Sequence, residues 1–276
     1  MFRIGSDLAN IGTGLLLITA LASQAPAQTS GTDFGPRTLT PFEMEKAERL
    51  LYEKLPCLGC HELGGQGGRI GPSLSNLKAT REPDYVFAMI IDPQGTVPGT
   101  VMPKVPMTRQ YLWETGRFDF QLGRDAESRM MREEGSVTER TLGLVASYLL
   151  QREPSRGTPP ERIPLPTPDA QTDSLDAEAL YGRYCAPCHG AEGAGDGPNA
   201  QFLPVEPVSH ADAEYMSGRP DDSLFDAIYV GGYIMNRSQT MPPYGETLTR
   251  EQIRSLVRFL RTLCDCQGPE WSRDNR

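Results

Sequence analysis

Four of the six cysteines fall in two copies of one five-residue pattern, Cys57-Leu58-Gly59-Cys60-His61 and Cys185-Ala186-Pro187-Cys188-His189. Nothing else in the 276 residues constrains the fold as tightly. Two thiols three residues apart lie on one side of a single helical turn, where both can add to the vinyl groups of one porphyrin. The adjacent imidazole then reaches over the ring to the iron. A redox dithiol needs no His directly after its second Cys. A zinc site needs further ligands, and only His210, Cys264 and Cys266 are left to supply them. Two of the three histidines stand in the one place that haem attachment requires. The chain is therefore expected to carry two covalently bound haem c groups.

The motifs begin at 57 and 185, 128 positions apart, and each is set in the same order of elements. Thr40-Pro41-Phe42 opens a helix running to about Lys54, with Thr40 as N-cap and Pro41 at the first helical position. Asp176 to Tyr184 does the same before the second motif. A Gly-rich loop comes after each, ending in Gly71-Pro72 and Gly197-Pro198. Short helices are expected near Asp84–Ile91 and Asp222–Tyr229, then a Met-Pro pair, Met102-Pro103 and Met241-Pro242. Each copy closes on an amphipathic helix with a capping box, Ser136-x-x-Glu139 and Thr249-x-x-Gln252. The fold class is mostly α. Two domains are expected over 36–152 and 174–266, joined by a Pro-rich, semi-extended linker over 153–173 and followed by a tail over 267–276. Each is too small for a large core unless a buried porphyrin serves as its apolar centre.

Arg3, the apolar run Ile11 to Ala22 and the small-x-small site Ala25-Pro26-Ala27 read as a signal peptide over 1–27. The apolar run is shorter than the roughly 20 residues of a bilayer span, and the alternative is an uncleaved anchor. The expectation is an exported, periplasmic protein with no transmembrane span in its mature chain; association with a membrane complex stays open. With 36 acidic against 27 basic residues the net charge is −9. That balance excludes nucleic acid as a partner, which calls for a basic stripe.

Both halves resemble class I c-type cytochromes, and the whole chain resembles a dihaem cytochrome c. The first copy carries CLGCH, IGPSL and DPQGTVPGTVMP; the second carries CAPCHG and MPPYGETLTREQIRSLVRFLRTL. The resemblance implies His61 and His189 as proximal ligands, Met102 and Met241 as distal ligands, and thioether bonds at Cys57, Cys60, Cys185 and Cys188. It also implies that the carbonyls of Pro72 and Pro198 accept a hydrogen bond from the proximal imidazoles. Met102 and Met241 each precede a Pro in a loop that cannot be helical. Met107, Met130, Met131 and Met235 are rivals, whereas Met44 and Met89 read as helical core.

Two departures from the family pattern bear on function. In the first copy Ser136 stands 34 positions after Met102, whereas in the second Thr249 stands eight after Met241. The surplus, around 108–135, carries Tyr111, Trp113, Phe118 and Phe120. It is either a loop folded back on its own domain or a docking element for a partner protein. The other is Cys264-Asp265-Cys266, which admits a strained ring, an intermolecular disulfide, a metal contact or two thiols. His210 reads as a surface residue. An iron held between His and Met has no open position, so the reading is an electron carrier between redox partner proteins rather than an enzyme. It could serve as a subunit of a larger complex. The alternative is a dihaem enzyme, a peroxidase or a sulfur-compound dehydrogenase.

Overall fold

Helix starts are written locally, and the first is typical. Thr40 Oγ1 accepts from the Glu43 amide at 3.3 Å while Glu43 Oε2 accepts from the Thr40 amide at 2.9 Å, a capping box that opens α1 (Pro41–Glu53). The Arg37 guanidinium and these Thr40 contacts hold the Glu43 carboxyl down from 4.5 to about 2. A carboxyl depressed on folding stabilises above its unfolded pKa and loses that contribution as pH falls through the folded one. The box should therefore weaken between roughly pH 4.5 and 2. Glu43→Gln should flatten the acid limb of stability in that window, measured by urea unfolding at stepped pH.

The computed structural model describes residues 36–105, 140–155, 157–165 and 175–272. The expected signal peptide over 1–27, the aromatic surplus over 108–135, Met107, Met130, Met131 and the expected Ser136 capping box lie outside the described residues. After α1 come α2 (Cys57–Cys60), α3 (Leu77–Thr80), α4 (Pro83–Ile91), α5 (Pro93–Thr96) and α6 (140–151). The second half contributes α7 (Ala177–Tyr184), α8 (Ala186–His189), a 3₁₀ turn over Ala200–Phe202, α9 (Ala213–Ser217), α10 (Asp221–Ile234) and α11 (Arg250–Leu263). Among the described residues there is no β-strand, only an isolated bridge between Leu63 and Gln66. The architecture is mostly helical, as expected from the sequence.

Each half has its own apolar cluster. Ala47 and Leu51 of α1 meet Val86 and Phe87 of α4 and Val145 and Leu149 of α6 in the first. In the second, Ile253, Leu256 and Leu260 form the buried stripe of α11 against Leu180 and Tyr181 of α7 and Ile228 of α10. Gln151 at the end of α6 accepts from the Leu39 amide at 3.0 Å and donates to the Arg37 carbonyl at 2.6 Å, holding the chain entry against the last helix of its half. α10 bends at Gly231, whose φ of 79° suits glycine, and its last turn swings so that the Gly232 amide donates to the Met241 carbonyl at 3.0 Å.

The described residues belong to one compact unit, Phe34–Arg276. Gln239 Nε2 donates to the Tyr52 carbonyl at 2.6 Å and the Lys104 amide to Thr247 Oγ1 at 3.1 Å, both between the halves. The described part of the Pro-rich segment has no regular structure, yet it is not free of the first half: the Ile163 amide donates to the Arg69 carbonyl at 2.8 Å. Cys264 and Cys266 are joined in a disulfide across Asp265, which takes a φ of 44°.

Candidate cofactor-binding site

The first motif lies on α2 and its His61 caps that helix. The Gly-rich loop returns through the Gly68 amide to the Leu58 carbonyl at 2.9 Å and the Gly71 amide to the Cys60 carbonyl at 2.7 Å. This brings the Pro72 carbonyl to 2.7 Å from His61 Nδ1, which fixes the imidazole and leaves Nε2 for a metal. A side chain on Gly71 would come within 2.3 Å of His61 Cε1, so glycine there is a packing requirement. Buried Glu62 secures the same loop: its carboxylate accepts from Ser73 Oγ, from the Gly65 amide at 2.6 Å and from Ser75 Oγ at 3.2 Å.

Cys57, Cys60 and His61 open onto a cavity of about 360 Å³ that Met102 also lines. The Met102 loop is held by Gln94 of α5, whose Nε2 donates to the carbonyls of Met102 at 2.8 Å and Thr100 at 3.2 Å. Gln94 is not legible as a functional residue in the sequence, because only the folded loop shows its amide reaching eight residues on. Met89 of α4 lines the same cavity, so this helical methionine is a second thioether at the first site rather than core filler. Burial pushes the Cys57 thiol up to about 12 and also raises Cys60, which feels Cys188 as well. Burial depresses His61, opposed by its hydrogen bond to the Pro72 carbonyl.

The second motif repeats this on α8. Cys185, Cys188, His189 and Met241 line a cavity of about 420 Å³. Burial raises Cys185 to about 12 and raises Cys188, with the Asn199 hydrogen bond opposing; it lowers His189. The loop returns in the same register, the Gly197 amide donating to the Cys188 carbonyl at 3.1 Å. The partner of the imidazole differs, however. His189 Nδ1 lies 2.9 Å from the Val208 carbonyl, not from that of Pro198, which accepts from Gln201 Nε2 at 3.1 Å. The expectation for Pro198 is thus corrected. The chain after it enters the 3₁₀ turn Ala200–Phe202, where Gln201 takes the Pro198 carbonyl, and the imidazole is met instead by the later Val208 carbonyl.

His210 is also placed differently from the expectation. Its ring stacks on His189 with centroids 4.1 Å apart, and Tyr181 Oη lies 3.0 Å from its Nδ1. Burial first, and His189 second, push it down to about 2. It is a neutral wall of the second cavity. Met235 is not among the residues lining either cavity.

The residues fit a covalent haem. The four motif cysteines are unbridged, and both cavities are predominantly apolar. Among the described residues the charged ones around the first cavity are Arg81, Arg162 and Arg183, with no carboxylate, in a chain of net charge −9. Such a space suits an apolar ligand with anionic groups. Among the described residues no three His, Cys, Asp or Glu side chains converge on a common point, so a bare metal site is a poorer fit.

Residues 173–260 match the model of the family described as Cytochrome C oxidase, cbb3-type, subunit III. Over these residues the chain is similar to a c-type cytochrome domain, and such a domain implies covalently bound haem c. Electron transfer with redox partner proteins is the activity this class supports. No curated protein matches the chain. A solved chain from the reducing HAO-like protein complex of Kuenenia stuttgartiensis is 18% identical, over 83% of this chain and 98% of that one, with a TM-score of 0.27. Among the described residues no helix is long and apolar enough to cross a membrane.

Proposed function

We propose that the protein is an exported dihaem cytochrome c that passes single electrons between redox partners, with one haem in each half. The observation that carries this reading is the duplication of one arrangement: a C-x-x-C-H turn on one wall of an apolar cavity and a methionine from a Pro-flanked loop lining the same cavity. A haem iron bound between imidazole and thioether exchanges electrons at a raised potential and has no vacant position. Cys57 with Cys60, and Cys185 with Cys188, fix each porphyrin; His61 and His189 present Nε2, since their Nδ1 atoms face backbone carbonyls. Met102 and Met241 would supply sulfur ligands to the iron, and Pro72 and Val208 orient the imidazoles. The family model is described as that of an oxidase subunit, which supports the reading that this carrier works as the electron-transfer subunit of a larger complex.

The purified protein should carry two haem c groups by pyridine haemochrome assay and intact mass, and its oxidised form should show the weak near-infrared band of methionine bound to iron. Met241→His and Met102→His should each remove about half of the band and lower one potential. If Met102→Ala leaves the band whole and Met89→Ala halves it, the distal ligand of the first site is Met89. A preparation with one haem or none rejects the dihaem reading.

A further inference from the structure

Arg183 sits on α7, two residues before the second motif, yet its side chain lines the first cavity. Its Nη2 donates to the carbonyl of Gly99, in the loop that carries Met102. Its guanidinium lies 5.3 Å from the Tyr184 ring. Its Nε is buried and has no hydrogen-bond partner among the described residues. A buried guanidinium nitrogen left unpaired is costly, and most such groups are satisfied. A carboxylate is the partner whose geometry best fits the remaining edge of the fork. Among the described residues none is offered, since none of those lining the first cavity is acidic. The porphyrin itself carries two carboxylates.

We propose that Arg183 binds a carboxylate of the haem held by Cys57 and Cys60, so that the second half of the chain completes the first haem site. This rests on the dihaem reading. The second cavity is served differently, by Arg219 and Arg237 from its own half, with Glu206 beside them. One consequence is a local field. A cation beside a haem destabilises the ferric state, which carries one more positive charge than the ferrous, and so raises that haem's potential. The other is coupling. The helix that delivers Cys185 also holds the anionic edge of the neighbouring site and, through Gly99, its methionine loop.

The test is spectroelectrochemical titration of the intact holoprotein carrying Arg183→Gln or Arg183→Lys, after the haem count has been verified. Gln keeps amide donors for the Gly99 carbonyl but loses the charge; Lys keeps the charge. The expected result is that Gln lowers one of the two potentials, the same one that Met102→His lowers, while Lys stays near wild type. A purely structural role through Gly99 predicts the reverse order, with Lys further from wild type than Gln. That order, an unmoved pair of potentials, or a shift in the potential that Met241→His lowers would each overturn the proposal. A count of one haem would instead reject the dihaem reading on which it rests.

Discussion

Cys57→Ala together with Cys60→Ala should remove one haem from the intact mass and destabilise both halves of the chain, not the first alone. The first cavity measures about 360 Å³. At about 24 cal/mol per Å³ of residual cavity, leaving it empty has a ceiling on the order of 9 kcal/mol. Its mouth is open and its walls can close inward, so several kcal/mol is the expectation. That is still a large share of the roughly 5–15 kcal/mol that holds a domain together. The loss should reach the second half because Tyr184, Pro242 and Tyr244 line both cavities. Collapse of the first cavity removes one face of that shared wall. Urea unfolding followed at the Soret band of the remaining haem measures this directly. A second haem that unfolds at the wild-type midpoint would show that the halves are energetically independent.

The parts of this fold that are legible in the sequence are those whose causes are local. The Thr40–Glu43 and Thr249–Gln252 capping boxes are both present, because each is decided within four residues. The thiol–thiol–imidazole pattern is readable for the same reason: one helical turn sets its geometry. The Pro198 expectation fails at the first non-local step. Gly71 and Gly197 return to Cys60 and Cys188 in one register, but the course of the chain beyond each Pro depends on where the next turn carries it. His210 escapes a sequence reading similarly, since a lone His among Ser, Ala and Asp has no local sign of burial. Its position comes from its amide, which donates to the Gly193 carbonyl at 2.6 Å, and from Tyr181. Arg183 and Asn199 look like ordinary surface residues, and contacts at separations of 84 and 140 residues are what give them roles. The Cys264–Cys266 pair admits several options in sequence that the folded chain narrows to an intrachain disulfide.

Asn199→Leu should lower stability by about 2–6 kcal/mol, from two backbone groups stranded at roughly 1–3 kcal/mol each. Asn199 is fully buried where the two motifs meet. Its Nδ2 donates to the Gly59 carbonyl of the first motif at 2.8 Å and to Cys188 Sγ of the second at 3.3 Å. Its Oδ1 accepts from the Arg69 amide at 2.8 Å. Leucine fills a similar volume and offers neither donor nor acceptor, so the Gly59 carbonyl and the Arg69 N–H lose their partner in a place water does not easily reach. Gly59→Ala attacks the same junction sterically. Its Cβ would lie 2.0 Å from the Thr240 carbonyl oxygen, and since that obstacle is backbone, the two halves must separate to admit it. A cost of about 1–3 kcal/mol is expected from overpacking of this kind. Because both substitutions strike the contact between the halves, each should shift the unfolding of both haem signals together. Cys188 Sγ gives the sharper signature. With haem attached at Cys185 and Cys188, as proposed, that sulfur would be a thioether, and loss of the Asn199 donor should alter the spectrum of the second site while Gly59→Ala leaves it closer to wild type. Equal spectral change in the two variants would mean that the Asn199–sulfur contact has no influence of its own, and that the residue acts only by joining the halves.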